Sequence, residues 1–483
     1  MEVSMNWMDH LWDLIVLGTP VLIASISQGS LMLVSMIYAG RMDTDSLAGI
    51  ALGCSIVNIS GISVHMGLAT ALDTLCSQAY GAGNYPMLGI WLQRGVFLGT
   101  IISFLIAFVW YFLSNSILNA LQIAPEVAVH STQFLQTSVW MIWPLMTQEC
   151  TKRYLQAQSQ LKAVLWSSFL GTVSNFIICW LFIDYLELDG VLSIAISLSI
   201  SYWIMLASII LFSIIFEHHA DTWVEISWIN INSGWKEYLS LGFPAVVHCV
   251  MEWAAFEVTL IESAMLGSTS LAAQGILLNF CSVMFLLPFS ISIALSIRVG
   301  QLLGAQKHRA AKQLTFLSLI FSEFCLIIPV AVLMGLFPYF WARIYVDSKV
   351  LLERIVAVSK IFSMYFLLDS IQIVCTGALK GAGLQSVAAV GALIGFWIVM
   401  VPLSYYLAFH TEMFHGIIGL WAGFVFGEIP LSIVYIGILW TRNWEFLANV
   451  AVERSIGDVI ICESIQDEEN NGYKYSETHP LLK

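Results

Sequence analysis

Charged residues are scarce in this chain. Asp, Glu, Lys and Arg make up 11% of its 483 residues, while apolar residues make up 59%. Soluble domains carry about 25% charged and about 45–50% apolar residues, so the composition excludes an ordinary soluble fold. The net charge is −13, which argues against nucleic acid as a partner, because phosphates attract a basic surface.

Motifs for covalent chemistry are also missing. The nine cysteines include no C-x-x-C pair, so we expect neither a disulfide framework nor a metal site. The sequence has no phosphate-binding P-loop, no nucleophile elbow and no cluster of metal ligands. These absences predict a protein that is not an enzyme, needs no cofactor and does not hydrolyse ATP.

Long apolar runs fill most of the chain. Each is long enough for a helix to cross a bilayer core about 30 Å thick, and too continuous for the alternating strands of a membrane barrel. The sequence therefore predicts an all-α membrane protein. Its twelve predicted transmembrane helices span residues 14–38, 46–71, 89–113, 130–152, 160–183, 190–216, 238–265, 271–297, 312–339, 357–380, 386–409 and 416–440.

The second half of the chain repeats the first. Residues 17–21 (LGTPV) return 224 positions later as residues 241–245 (LGFPA), and the motif around Gly81 returns around Gly304. Six spans per copy is an even number, so both copies enter the membrane from the same side. Such a parallel repeat predicts two six-helix lobes with a substrate site between them.

The positions of the basic residues predict the orientation. Fourteen of the nineteen Lys and Arg residues lie on the side where the chain begins and ends, and cytoplasmic loops are enriched in such residues. Both termini are therefore predicted to be cytoplasmic. The predicted parts are an N-terminal lobe, a cytoplasmic linker, a C-terminal lobe and an acidic cytoplasmic tail without packed structure, at residues 1–216, 217–237, 238–440 and 441–483.

Ionisable side chains at membrane depth are the strongest functional signal, since each costs about 2.5–3.5 kcal/mol to insert. The seventh span carries Glu252 and Glu257, and the tenth carries Asp369. A carboxyl in a low dielectric exchanges protons more readily near neutral pH than one in water. These acids are therefore predicted to carry coupling protons, although they could instead only bond a neighbouring helix. His248, one turn before Glu252, is either a proton relay or a core histidine.

The repeat assigns proton handling to the second lobe. At the offset of 224 residues, Glu252 corresponds to Gln28 and Asp369 to Leu145, so the first copy is expected to hold the scaffold without the acids. Aromatic faces with few fixed charges suit flat lipophilic cations. The residues predicted to line the substrate cavity are polar or aromatic and lie on spans at the lobe interface: Gln28, Asn58, Trp253, Asn279 and Phe285.

Several segments carry a resemblance to a known family. Residues 67–94, 249–257 (CVMEWAAFE) and 296–305 (SIRVGQLLGA) resemble signatures of the eukaryotic branch of the multidrug and toxic compound extrusion (MATE) family. The resemblance extends over about residues 10–445. It implies two six-helix lobes around a central cavity, and export driven by proton or sodium influx. It also implies that the three acids named above are the coupling residues.

On this basis we expect a proton-coupled antiporter that exports amphipathic organic compounds, such as cations, xenobiotics or secondary metabolites, by alternating access. One alternative is an exporter of organic anions or lipid precursors from the same superfamily. Another, of a different class, is a membrane receptor or structural protein that transports nothing. Protons are preferred to sodium as the coupling ion. The expected partners are small organic substrates and the lipid bilayer, and the expected state is a monomer.

The end of the tail contains a sorting pattern. Glu477, followed after three residues by Leu481 and Leu482, resembles the acidic dileucine signal that cytoplasmic sorting adaptors bind. A pattern this short also arises by chance. If it acts, we expect the protein in an acidic organelle such as a vacuole or lysosome; otherwise the expected location is the plasma membrane.

Overall fold

The computed structural model describes residues 7–346 and 348–455, with side chains from residue 11 onward. Twelve long helices, α1–α12, make up most of this part of the chain, which confirms the predicted fold class. The first six are α1 Trp7–Ala39, α2 Thr44–Gly81, α3 Tyr85–Ala120, α4 Pro125–Ala157, α5 Leu161–Tyr185 and α6 Gly190–Ile215. The second six are α7 Trp235–Met265, α8 Ser268–Gly304, α9 His308–Leu336, α10 Lys349–Gly381, α11 Gln385–His410 and α12 Ile417–Thr441.

Two of the twelve helices are more polar than the rest. Ten are long and apolar enough to cross a membrane on composition alone. The other two, α4 and α10, have 33 residues each and carry buried charged side chains, among them Glu149 and Asp369. They occupy equivalent places in the two copies of the repeat. Because charge is costly in lipid, these two helices must turn their polar faces toward the protein interior.

Proline accounts for two irregular turns in the second lobe. A π-helical turn at Ser322–Ile327 in α9 comes just before Pro329, and another at Leu393–Met400 in α11 comes just before Pro402. Proline has no N–H to donate to the preceding turn and its ring crowds the carbonyl there. A wider turn relieves that crowding and keeps the helix continuous.

The lobes meet tightly at one end of the bundle, which we call the terminal face because α1 begins and α12 ends there. A Cβ added to Gly81 would lie 2.0 Å from the carbonyl oxygen of Gln301, and one added to Gly304 would lie 2.0 Å from that of Gln78. Only glycine allows the two backbones to come so close. The two contacts are reciprocal, as expected if the axis of the internal repeat passes between them.

Hydrogen bonds around this contact follow the same symmetry. Gln78 Nε2 donates to the carbonyl of Gly381 at 3.0 Å, and Gln301 Nε2 donates to that of Ala157 at 2.9 Å. Gly381 ends α10 and Ala157 ends α4, so each glutamine crosses to the equivalent helix of the other lobe. The repeated sequence motif therefore joins the two lobes at the terminal face.

The chain after α12 forms a packed helix, contrary to the expectation of a tail without structure. Residues 444–455 are helical. The buried side chains of this segment follow a helical period, and they are Trp444, Leu447, Ala448, Ala451 and Ser455. That spacing is typical of an amphipathic helix on a protein surface. Glu477, Leu481 and Leu482 of the sorting pattern lie outside the described residues.

Candidate functional site

A cavity lies between the two lobes on the terminal-face side of the bundle centre. The first lobe contributes α2 and α4, including Asp73 and Arg153, and the second contributes α7, α8 and α10. Two of the residues predicted for the substrate cavity, Trp253 and Phe285, line it. The second-lobe wall also carries the polar groups His248, Glu252, Gln372 and Lys380.

Glu252 is the acidic residue of the second-lobe wall. Its side chain is buried, and Gln372 Nε2 from α10 donates to Glu252 Oε1 at 3.1 Å. The amide oxygen of Gln372 accepts a bond from Thr376 Oγ1 at 3.2 Å. His248 Nδ1 lies 3.9 Å from Glu252 Oε2, too far for a direct hydrogen bond. Within the described residues Glu252 has no Lys or Arg within 4 Å, so its only short polar contact is with an amide.

Two further carboxyls lie behind Glu252, away from the cavity. Asp369 is buried on α10, one turn before Gln372, and faces Tyr365 and Glu252. Glu428 on α12 is fully buried near both acids, and neither of its carboxyl oxygens has a hydrogen-bond partner among the described residues. A bare carboxylate in such surroundings costs several kcal/mol. The three groups are therefore suited to sharing protons.

Sequence reasoning missed Glu428, although the signal was present. It lies in the apolar twelfth span, within GEIP at residues 427–430, and meets the criterion of depth that singled out Glu252 and Asp369. Two other acids on the second-lobe helices have different surroundings. Glu323 accepts a bond from Ser370 Oγ at 2.8 Å, and Glu262 is buried near the other end of α7.

The remaining predicted residues do not line this cavity. Glu257 is partly buried on α7 beside Ser55 of the first lobe. Asn58 lies in the π-helical turn of α2, and Asn279 is exposed on α8. Gln28 points into the first lobe, where it bonds Glu149 and Lys152.

The first lobe does contain buried acids, so the expectation of a scaffold without them was wrong. Glu149 of α4 is buried and accepts a bond from Gln28 Nε2 at 3.0 Å. Lys152 Nζ bonds the same carboxyl and also donates to Gln28 Oε1 at 3.1 Å. The offset of 224 residues pairs Asp369 with Leu145 and so does not reveal Glu149, which lies one turn further along α4.

Asp73, near the terminal-face end of α2, is another buried acid of the first lobe. It is buried and forms an ion pair with Arg153 of α4. Arg153 Nη2 also lies 3.8 Å from Glu149 Oε2. Asp73 and Glu149 are thus paired with basic groups, whereas Glu252, Asp369 and Glu428 have no Lys or Arg within 4 Å among the described residues.

Comparison with known proteins agrees with this architecture. The MatE family model matches residues 20–181 and again residues 244–406, so two copies together cover more than half of the chain. Multidrug and toxin extrusion protein 1 of Xenopus tropicalis is 28% identical and covers 94% of this chain and 78% of that protein. Protein DETOXIFICATION 7 of Arabidopsis thaliana is 27% identical and covers 91% of this chain and 86% of that protein.

A solved structure has the same fold. The eukaryotic MATE transporter AtDTX14 superposes with a TM-score of 0.86 at 23% identity, covering 93% of this chain and 99% of that one. The structural similarity shows that this chain has a fold of two six-helix lobes. The match to the family model shows that the two proteins are related. The chain belongs to the MATE family, and it is a multi-pass membrane efflux transporter of the eukaryotic type and not an enzyme.

Proposed function

We propose that this transporter is a proton-coupled antiporter that exports amphipathic organic compounds, with organic cations as the main class. The observation that carries the proposal is the group of three buried carboxyls in the second lobe: Glu252, Asp369 and Glu428. No Lys or Arg of the described chain lies within 4 Å of their carboxyl oxygens. A carboxyl without a fixed counter-ion can alternate between binding a proton and binding a cation.

The geometry suggests how the exchange would work. Glu252 faces the cavity with Trp253 and Phe285 beside it, so an organic cation could meet a carboxylate and two aromatic faces together. Protonation of Glu252 from the acidic side of the membrane would remove the charge that holds the cation. Asp369 and Glu428 would take or supply that proton from behind the wall. Alternating access at the lobe interface would then export the substrate.

A second candidate is the export of organic anions. Lys380 lines the cavity, and its ammonium has no ion-pair partner within 4 Å among the described residues. Arg153 lines the opposite wall, although Asp73 already neutralises it. An anionic substrate would bind near Lys380, so K380Q should abolish anion transport. Under the cation proposal, the same variant should bind cations at least as well as the parent.

The test is accumulation by purified protein in liposomes under an imposed pH gradient. One pH unit supplies about 1.4 kcal/mol per proton, enough for about tenfold accumulation. E252Q and D369N should each lose most of this accumulation while still inserting and remaining monodisperse. E262Q is the matched control on the same helix as Glu252, and it should behave like the parent. Normal pH-driven accumulation in both E252Q and D369N would refute the proton site. Accumulation driven by a sodium gradient alone would show that the coupling ion is sodium and not the proton.

We further propose that the terminal face is cytoplasmic, because fourteen of the nineteen Lys and Arg residues belong to that side. Transport would then run from the cytoplasm toward the acidic side, across the plasma membrane or into an acidic organelle. The transporter would act as a monomer, because the two lobes of one chain form the whole cavity between them. Thiol labelling in sealed vesicles of known orientation tests the sidedness.

A further inference from the structure

Each lobe contains a glutamate that accepts a hydrogen bond from a glutamine on another helix of the same lobe. In the first lobe Gln28 of α1 donates to Glu149 of α4 at 3.0 Å. In the second lobe Gln372 of α10 donates to Glu252 of α7 at 3.1 Å. The repeat pairs α1 with α7 and α4 with α10, so the acid and the amide have exchanged helices while the bond between them has been kept.

What differs is the group that bonds the amide oxygen of each pair. In the first lobe it is Lys152, whose ammonium bonds both Gln28 Oε1 and the Glu149 carboxyl. In the second lobe it is the neutral hydroxyl of Thr376. Each of these groups lies about one turn beyond its pair along α4 or α10. The ammonium of Lys152 therefore bonds the first pair, whereas no Lys or Arg in the described part of the chain bonds the second.

The surroundings of Glu149 leave it no other strong partner. Arg153 Nη2 is 3.8 Å away and already bonds Asp73. His65 and Tyr202 also face Glu149, but both ring nitrogens of His65 already contact other groups, the Gly61 carbonyl and Ser103 Oγ. The Lys152 side chain is 12% exposed, and its ammonium bonds the Glu149 carboxylate directly, an opposite charge that favours the charged form of both groups.

We infer that Lys152 acts as an internal counter-ion that excludes Glu149 from proton exchange and thereby sets the number of protons exchanged per substrate. The inference rests on the proposed proton coupling in the second lobe. In the first lobe the ammonium occupies the position at which a transported proton or cation would otherwise neutralise the acid. Removing the ammonium would add an exchanging carboxyl in the first lobe, while Arg153 stays paired with Asp73.

The experiment measures the proton number directly. Purified protein in liposomes, with the membrane potential clamped at zero, is brought to zero net flux of a model organic cation at several pH gradients. The slope of the logarithm of the accumulation ratio against the pH difference equals the number of protons per substrate. This slope does not depend on the turnover rate, so a merely structural defect would slow transport without changing it.

K152M should raise the slope by up to one, which is up to about tenfold more accumulation per pH unit. K152R keeps the charge and should leave the slope at the parent value. E149Q should also leave it unchanged, because Glu149 carries no exchanged proton. The double variant K152M/E149Q removes both the cation and the acid, and it should return the slope to the parent value.

An unchanged slope in K152M would overturn the inference. If K152M fails to insert into the membrane, the E149Q variant provides the test. A slope below that of the parent would show that Glu149 exchanges a proton, and this result would also overturn the inference. A parent slope of zero would instead refute the proposed proton coupling. The two failures are therefore distinguishable in one data set.

Discussion

The reciprocal glycine contact provides a direct test of how the terminal face closes. In G304A the new Cβ would lie 2.0 Å from the carbonyl oxygen of Gln78, and ordinary contacts begin near 3.4 Å. The obstructing atoms cannot move aside as the end of a flexible side chain would, because they are backbone atoms of Gln78 and Ala82. The two helix ends would have to separate by more than an ångström. Any state in which the lobes are already apart at this face would not be affected.

The size of the effect follows from the cost of overpacking. Such a clash costs about 1–3 kcal/mol, which would shift the balance between closed and open states about 5- to 150-fold. Alanine favours a helix over glycine by about 1 kcal/mol, but that gain is the same in both states and cancels. G304A should therefore populate the state that is open at the terminal face.

A native cysteine provides the readout. Cys249 lines the cavity and is nearly buried in the closed arrangement. A charged maleimide applied at the terminal face should label Cys249 faster in G304A than in the parent, with mass spectrometry separating it from the other cysteines. G437A is the control, because a Cβ on Gly437 of α12 would meet no atom within 4 Å. Equal labelling of Cys249 in G304A and G437A would refute the view that this contact closes the face.

Two further predictions test the remaining residues. E428Q should reduce proton-driven accumulation as strongly as D369N, because the carboxyl oxygens of the buried Glu428 have no hydrogen-bond partner among the described residues. E323Q, whose acid bonds Ser370, should have little effect, and normal accumulation by E428Q would remove Glu428 from the proposed site. Replacement of Leu481 and Leu482 by alanine should move a tagged protein from an acidic organelle to the plasma membrane. An unchanged distribution would show that the pattern does not act as a sorting signal.

The sequence predicts best what the repeat determines. Gly81 and Gly304 occupy matching positions in the repeat because each packs against the backbone of the other lobe. The symmetry of this contact is therefore predictable from the sequence. Two acids of the second lobe, Glu252 and Asp369, were found because they interrupt apolar runs. In both cases the signal can be read along the sequence itself. Neither case requires knowledge of which helices are neighbours.

What the sequence could not predict depends on pairs of residues from different helices. Asp73 lies near the end of a span, and only the ion pair with Arg153 of α4 explains how it can be buried. Glu149 lies in a polar segment with Lys152 and Arg153, where a charge looks unexceptional. Its bond to Gln28 on α1 appears only when the helices are assembled. Cavity residues have the same difficulty, since Asn279 is exposed while its neighbour Phe280 is buried.

The helix at residues 444–455 must move with one lobe when the terminal face opens, and its contacts indicate which. Arg454 Nε lies 2.6 Å from Glu237 Oε1 of α7, and Gln306 Nε2 donates to the carbonyl of Ala448 at 3.2 Å. Both partners belong to the second lobe. The first lobe contributes the bond from Asn84 Nδ2 to the carbonyl of Ser455. One neutral hydrogen bond has a net worth of about 1 kcal/mol, so we expect this bond to break on opening while the helix stays with the second lobe.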